Sequence, residues 1–345
     1  MTMGGLEAAA TSVASTIGRY FNVINTVPSL FLVVLFFVLL NSGAWSGPPD
    51  FARSWEALSA LGIGGTLLLV LATLALSLVL HPLQFTLVQL FEGYWGLNEF
   101  ARNASRLRIL YHRSRLEKLK DESMRAGSAL LAGAEDGSGI YWKNVANEAD
   151  RLIGRYPDDE GEIMPTRLGN MLRRYERSAG AVYNLDAITV IPLIALVAPA
   201  DQVEYFEDQA TKVELAVRTV VTALIASAMS VAFLWWHGWW LMIALVFYGA
   251  AYLAYRGAVI SAESFGQTLG VLIDLNRFEL YRRLRLPLPK TANDERRDNP
   301  RLIASLRGKK YQFDYEDPKI VTDTDPSGNS DTGDQAEMRG VDPRE

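Results

Sequence analysis

Three histidines, a cluster of carboxylates and two runs of arginine are the side chains of this chain with the most chemical reach. His81, His112 and His237 stand far apart, and no cysteine accompanies them. A tetrahedral zinc site needs closely spaced nitrogen and sulfur ligands, so no metal site is expected. Disulfides, thiolate ligands and cysteine nucleophiles are excluded outright. Asp158, Asp159, Glu160 and Glu162 gather beside Pro157. Carboxylate clusters can bind divalent cations, but the spacing of a calcium loop is missing, and a solvated turn is the simpler reading. Gly137-Ser-Gly139 fits neither a nucleophile elbow nor a dinucleotide loop. There is no Walker A loop and no HExxH run. The chain therefore reads as non-enzymatic and without a cofactor.

Two basic groups remain. Residues 99–120 hold Arg102, Arg106, Arg108, Arg113, Arg115, Lys118 and Lys120 against Glu99 and Glu117. They carry no nucleic-acid fold signature, so no nucleic acid is expected. They directly follow an apolar stretch, which makes anionic lipid headgroups the nearer partner. The second group is Arg167, Arg173, Arg174 and Arg177. It lies largely off an apolar stripe of Leu168, Met171, Leu172, Tyr175, Ala179 and Val182 at three- and four-residue steps. These four arginines are the candidate contacts for a cytoplasmic partner protein or for lipid. Glu214 and Arg218 have the acid-first order of a helical ion pair, at the edge of another apolar stretch.

The elements that position these groups follow from the apolar runs. The apolar fraction of 49% reaches only the upper end of the globular range, but its distribution is very uneven. A bilayer core of about 30 Å needs roughly 20 apolar helical residues. Four stretches qualify: about 22–44, 58–80, 217–236 and 239–255. The expected fold is all-α, a polytopic helical membrane protein with four transmembrane helices in two hairpins and a helical cytoplasmic domain. Its parts are an N-terminal cytoplasmic segment 1–21, hairpin 22–80, a cytoplasmic helical region 81–216, hairpin 217–255, a helical extension 256–313 and an acidic tail 314–345. That tail holds ten acidic and three basic residues, a net of −7 within a chain total of −5, so the body is near +2. Its composition reads as disorder.

Basic residues flank the 81–216 side and are nearly absent from the two short connections, which places both termini in the cytoplasm of a bacterial plasma membrane. Trp235, Trp236, Trp239 and Trp240 at the second turn suit an interfacial belt. Ala250, Ala254, Ala258, Ala262, Gly266 and Gly270 sit four apart and permit close helix packing. Such a row drifts by about 40° per step, so only three or so members can share one contact. A further apolar run, 187–200, is too short to span comfortably and contains Pro192 and Pro199; a core helix, an interfacial helix and a re-entrant segment are open readings, and packing against the cytoplasmic ends of the spans is preferred. Pro82 should kink the second span, Pro165 should open a helix to about Tyr183, and 127–139 reads as a loop or a frayed helix end.

The run Pro165-Thr-Arg-Leu-Gly-Asn170-Met-Leu-Arg-Arg-Tyr-Glu176, with Tyr183-Asn-Leu-Asp186, Glu92-Gly-Tyr-Trp95, Asp274-Leu-Asn-Arg277 and Tyr281, resembles a family of uncharacterised actinobacterial multi-pass membrane proteins. The resemblance covers about 20–290. It implies a membrane location and supplies no activity. Where that family carries Trp-Pro-Arg, this chain has Ile191-Pro192-Leu193 and lacks the arginine. The expected function is a self-associating scaffold or channel-like assembly, a possible homo-oligomer in contact with membrane lipids. The alternative is a membrane-anchored sensor or effector that binds a cytoplasmic ligand or partner protein.

Overall fold

The computed structural model describes residues 26–132, 138–313 and 315. Every regular element among them is helical. The acidic tail and the segment 1–25 lie outside the described residues, apart from Tyr315.

Two long antiparallel helices form the spine: α8 (Ala200–Leu234) and α9 (Met242–Arg283). They are joined by His237 and a short 3-10 turn, Gly238–Leu241. At about 1.5 Å per residue they run some 52 and 63 Å, well beyond the roughly 30 Å of a bilayer core. Each changes character along its length. Near the turn both are apolar; towards Ala200 and Arg283 they carry charge on the outside and a buried apolar seam inside.

The turn end is joined by α1 (Thr26–Asn41) and α2 (Phe51–Ser59). Leu39, Ala44, Phe233 and Leu234 form a small core there. The His237 ring donates through Nε2 to the Ala44 carbonyl at 2.7 Å. Ser54 donates to the Val38 carbonyl at 2.8 Å and holds α2 against α1. The tryptophans of the turn are mostly exposed, Trp236 the most, while Trp240 packs on Phe51 with centroids 4.9 Å apart.

The next helix, α3 (Ile63–Glu92), runs beside α8. Only 6% of its segment Ile63–Leu80 is buried, against 39% for the apolar window of α8. The second apolar run begins at Ile63 rather than near residue 58. Leu58 belongs to α2, which Asp50 caps by accepting from the amides of Ala52 and Arg53. Pro82 lies inside α3 without ending it. Three helical segments are long and apolar enough to cross a membrane: Ile63–Leu80, Ala200–Leu234 and Gly238–Arg283. The described part of α1 is a shorter apolar helix.

The polar half of the spine carries a head. It comprises α4 (Glu99–Leu131), α5 (Ser138–Ile153), α6 (Arg167–Ser178), α7 (Ala187–Val197) and α10 (Ala292–Leu306). The helix α4 continues four residues past Gly127, because that glycine sits on an open face and the turn begins only at Ala132. A core of Leu116, Leu119, Tyr156 and Ile163 ties α4 to the α5–α6 connection. The largest core joins α7, α9 and α10 through Val190, Ile194, Leu272, Ile273 and Ile303. The 187–200 run is therefore a core helix of the head; it packs on the part of α9 well beyond its apolar half. The helix expected from Pro165 to about Tyr183, α6, ends at Ser178, because Gly180 (φ +76°) turns the chain before a 3-10 turn, Ala181–Tyr183.

Candidate functional site

The site built most densely from the sequence motifs is the joint where α3 meets α6. The chain leaves α3 through Gly93 at φ +110°, a left-handed conformation that glycine adopts without strain. A Cβ there would stand 2.4 Å from Pro165 Cγ. Thr166 is the N-cap of α6 and accepts from Gly169 N at 2.9 Å. Its own hydroxyl donates to the Glu92 carbonyl at 3.0 Å, so one side chain closes the end of one helix and the start of another. Pro165 precedes the cap rather than opening the helix, since the capping hydroxyl comes from Thr166.

Gly169 allows this approach. A Cβ on it would lie 1.9 Å from the Glu92 carbonyl oxygen. Asn170, 1% exposed, fastens the loop before the helix. Its Oδ1 accepts from Met164 N at 2.8 Å, and its Nδ2 donates to the carbonyls of Met164 at 2.9 Å and Thr166 at 2.7 Å. Leu168 and Met171 are fully buried against Val213, Val217, Ala258 and Ala262. Every residue type in the Pro-Thr-x-Leu-Gly-Asn run thus has a packing or capping task.

The arginines of α6 surround the joint. Arg173 donates to the Tyr94 hydroxyl at 2.9 Å and pairs with Glu176 at 3.3 Å. Arg177 pairs with Glu162. Arg174 lies over the Tyr175 ring and against Gly154. Arg167 is exposed and makes no ion pair among the described residues. Sequence reasoning grouped the four as a contact surface, whereas Arg173 and Arg177 are held in internal pairs.

Glu92 and Glu176 are half-buried on either side of Arg173, with Arg177 also near Glu176. Burial, reinforced by the Glu176 carboxylate, pushes the Glu92 carboxyl up to about 7 despite Arg173. Burial also raises Glu176. On the far side of Pro165, His112 is fully buried and shares a hydrogen bond of 3.0 Å with the Tyr156 hydroxyl through Nδ1. Burial and the guanidinium groups of Arg108, Arg167 and Arg115 hold its pKa down to about 4.

A second polar cluster fixes α10 to the spine. Arg277 donates to Glu295 at 3.0 Å and stacks between Tyr183 and Phe278, 4.0 and 4.3 Å from their centroids. The Tyr281 hydroxyl lies 3.0 Å from Glu295 Oε1 and 2.9 Å from Asn299 Oδ1, with one proton to serve both. Asn299 donates to the Tyr183 carbonyl at 2.7 Å. Glu295 is 4% exposed, a buried carboxylate compensated by Arg277. A 430 Å³ cleft opens beside it, lined by Tyr281, Leu286, Leu288 and Arg301 among others.

The row of small residues divides along α9. Ala258, Ala262 and Gly266 are buried, and a Cβ on Gly266 would run into the Tyr175 ring at 2.1 Å. Ala254 is half-buried and Ala250 is exposed. The acidic cluster is likewise absorbed: Asp159 caps Gly161, Glu160 pairs with Lys120 at 2.7 Å, and Glu162 pairs with Arg177. Among the described residues no group of three or more His, Cys, Asp or Glu side chains could hold a metal ion.

The sequence singles out Glu92, the run from Pro165 to Glu176, Tyr183, Arg277 and Tyr281 without showing their tasks, and it does not single out Glu295 or Asn299. The usable signal was Thr166 before an apolar stripe, an N-cap signature. Glycine and asparagine three and four positions later are poor helix formers and mark a close approach. Comparison of the chain with protein-family models, curated proteins and solved structures finds no match.

Proposed function

We propose that this is an integral protein of a bacterial plasma membrane with four spans in two hairpins and both termini in the cytoplasm. It acts without catalysis, as a scaffold that holds a helical cytoplasmic head rigidly on its membrane helices. The observation that supports this reading most is the continuity of α8 and α9, which carry the apolar segments at one end and the head at the other. The Thr166–Glu92 joint clamps α3 to the same head. Motion of the membrane helices would then be transmitted to the head with little slack. The proposed partners are membrane lipids, a cytoplasmic protein and further copies of the chain.

A scaffold is favoured over a channel because hydroxyl groups in the apolar segments bond to helix carbonyls. Thr73 donates to Leu69, Thr222 to Arg218, Ser230 to Ala226 and Ser227 to Ala244. A conducting path needs polar groups or a gated constriction facing a lumen. The buried part of the small-residue row is filled by α6 and α8, so self-association would use the lipid-facing side of α3 instead. A sensor reading draws on one observation, the pair of half-buried carboxylates Glu92 and Glu176 around Arg173 at the joint.

The absence of cysteine makes the topology testable. Single cysteines replacing the exposed Ser46 and Ser128 report on opposite ends of the molecule. In intact cells a membrane-impermeant maleimide should label Ser46→Cys, and Ser128→Cys should react only after permeabilisation. Equal labelling of both in intact cells would sink the orientation. Native mass spectrometry that finds only monomers in lipid nanodiscs would remove the self-associating form of the scaffold.

A further inference from the structure

The first three turns of α4 present an exposed apolar face. Phe100, Leu107, Leu110 and Tyr111 are all exposed there, Phe100 at 84%. On a helix, positions 100, 104, 107 and 111 fall on one line. That line stays apolar through Phe100, Ala104, Leu107 and Tyr111, then turns polar at Ser114, Lys118, Glu122 and Arg125. By the same 100° step Arg106 borders this face just beyond Leu110, Arg108 and Arg115 border its other side, and Arg102 lies behind it. The face that packs lies about a third of a turn further round, through Ala101, His112, Leu116 and Leu119. Such a stripe, bounded by arginines on both sides, is the pattern of a helix lying in a membrane interface.

Position agrees with pattern. From Ile63 to Phe91, α3 carries no acidic or basic residue other than His81. Leu87 and Val88 share a crevice with Glu214 and Arg218 of α8, the level at which charge first enters the helix bundle. Glu92 is five residues beyond Leu87, about 8 Å along the helix. That is roughly the depth of one headgroup layer. The Gly93–Leu97 turn and the start of α4 follow directly. Exposed Phe85, Leu90, Tyr94 and Leu97 continue the apolar surface of α3 into the stripe of α4. Behind the stripe, Tyr94, Trp95, Leu97, Arg102 and Arg106 line an open groove of 760 Å³. Arg106 and Arg108 are exposed and join no ion pair among the described residues.

We infer that residues 99–111 lie in the cytoplasmic membrane interface, with the apolar stripe at the acyl boundary and Arg106 and Arg108, on its two borders, on anionic lipid phosphates. The inference rests on the membrane reading above and adds the surface by which the head meets the bilayer. The occupant is the anionic bilayer itself, chosen because the apolar stripe continues the exposed face of α3 and the flanking charge is positive. A free phosphate would satisfy the arginines and leave the stripe in water.

The test uses the full chain in nanodiscs of mixed phosphatidylglycerol and phosphatidylcholine, with one nitroxide on each of three single-cysteine variants at exposed positions. Leu71→Cys reports on α3, Leu107→Cys on the stripe and Lys118→Cys on the same line beyond it. Collisional relaxation by oxygen should exceed that by a water-soluble nickel complex at positions 71 and 107, and the reverse should hold at 118. If 107 is as accessible to nickel as 118 while 71 is immersed, the inference fails and the membrane reading stands. If 71 is also open to nickel, the membrane reading itself fails. In the second arm, native mass spectrometry compares wild type with Arg106→Gln/Arg108→Gln. The double variant should lose retained phosphatidylglycerol by about fivefold per arginine. Unchanged retention, or displacement of the lipid by millimolar inorganic phosphate, would overturn the arginine assignment.

Discussion

The hydroxyl of Thr166 reaches the backbone carbonyl of Glu92, 3.0 Å away, and fastens the last turn of α3 to the first turn of α6. The two residues are 74 positions apart. That one bond explains why the run from Pro165 to Asn170 has its composition: the threonine caps and clamps, the glycine admits the carbonyl, and the asparagine holds the loop.

Gly169→Ala should destabilise the protein, although alanine normally improves a helix by up to about 1 kcal/mol over glycine. The new methyl would meet the Glu92 carbonyl at 1.9 Å, a backbone group that cannot swing away. Gly127→Ala in α4 meets nothing within 4 Å and should raise the melting temperature slightly. Thermal unfolding of both variants in the same detergent checks the sign; a stabilised Gly169→Ala would remove the close approach.

The joint should weaken as pH rises. Glu92 has a folded pKa near 7, above its ordinary value of 4.5. The folded state therefore holds the proton more tightly than the unfolded state. Its contribution is fully present below about 4.5 and is lost as pH climbs through about 7. Glu176, raised by the same burial, acts in the same sense. Hydrogen exchange of the 164–170 backbone should quicken between pH 6 and 8 beyond its chemical rate, and Glu92→Gln should remove most of that excess. An unchanged excess in the variant would place the titration elsewhere.

His112 should act in the opposite direction. Its pKa is held down to about 4 from 6.5, so the folded state resists protonation. The stability it supports is present above about 6.5 and is lost as pH falls towards 4. A His112→Leu/Tyr156→Phe variant, which removes both hydrogen-bond partners together, should melt with less dependence on pH in that window. A wild-type pH profile in the variant would contradict this.

Breaking the Arg277–Glu295 pair should loosen α10. Glu295→Gln leaves a largely buried guanidinium without its countercharge, and losing one partner of such a pair costs about 3 kcal/mol or more. The double variant Arg277→Leu/Glu295→Leu removes both charges and should cost less. Limited proteolysis, read as the rate of cutting between 284 and 291, separates the two. Equal rates in the single and double variants would show that the charges do not hold the helix.

Local signals carried most of the fold. The long apolar runs announced α3, α8 and α9, and the four-residue row marked Ala258, Ala262 and Gly266, because hydropathy and spacing are properties of neighbouring residues. Legibility failed where partners are distant in sequence. Nothing near Gly93 shows that Pro165 will lie against it. Nothing near Glu295 shows that Arg277 will bury it, so a charged stretch reads as surface although Leu302 and Ile303 seal it to α7 and α9. The arginines of α6 looked available for the same reason: their carboxylate partners include Glu162, which is outside the helix.

The rigid carriage of the head on α3 can be measured directly by pulsed electron-electron distance measurement in nanodiscs, with nitroxides at Leu71→Cys and Ser178→Cys. Both positions are exposed, and the joint lies between them, with about 32 Å of helix from Leu71 to Glu92. The expected result is one narrow distance distribution, which Gly169→Ala broadens. A broad or two-peaked distribution in the otherwise unaltered protein would contradict rigid coupling, because it would mean that the head moves independently of the helix it is clamped to.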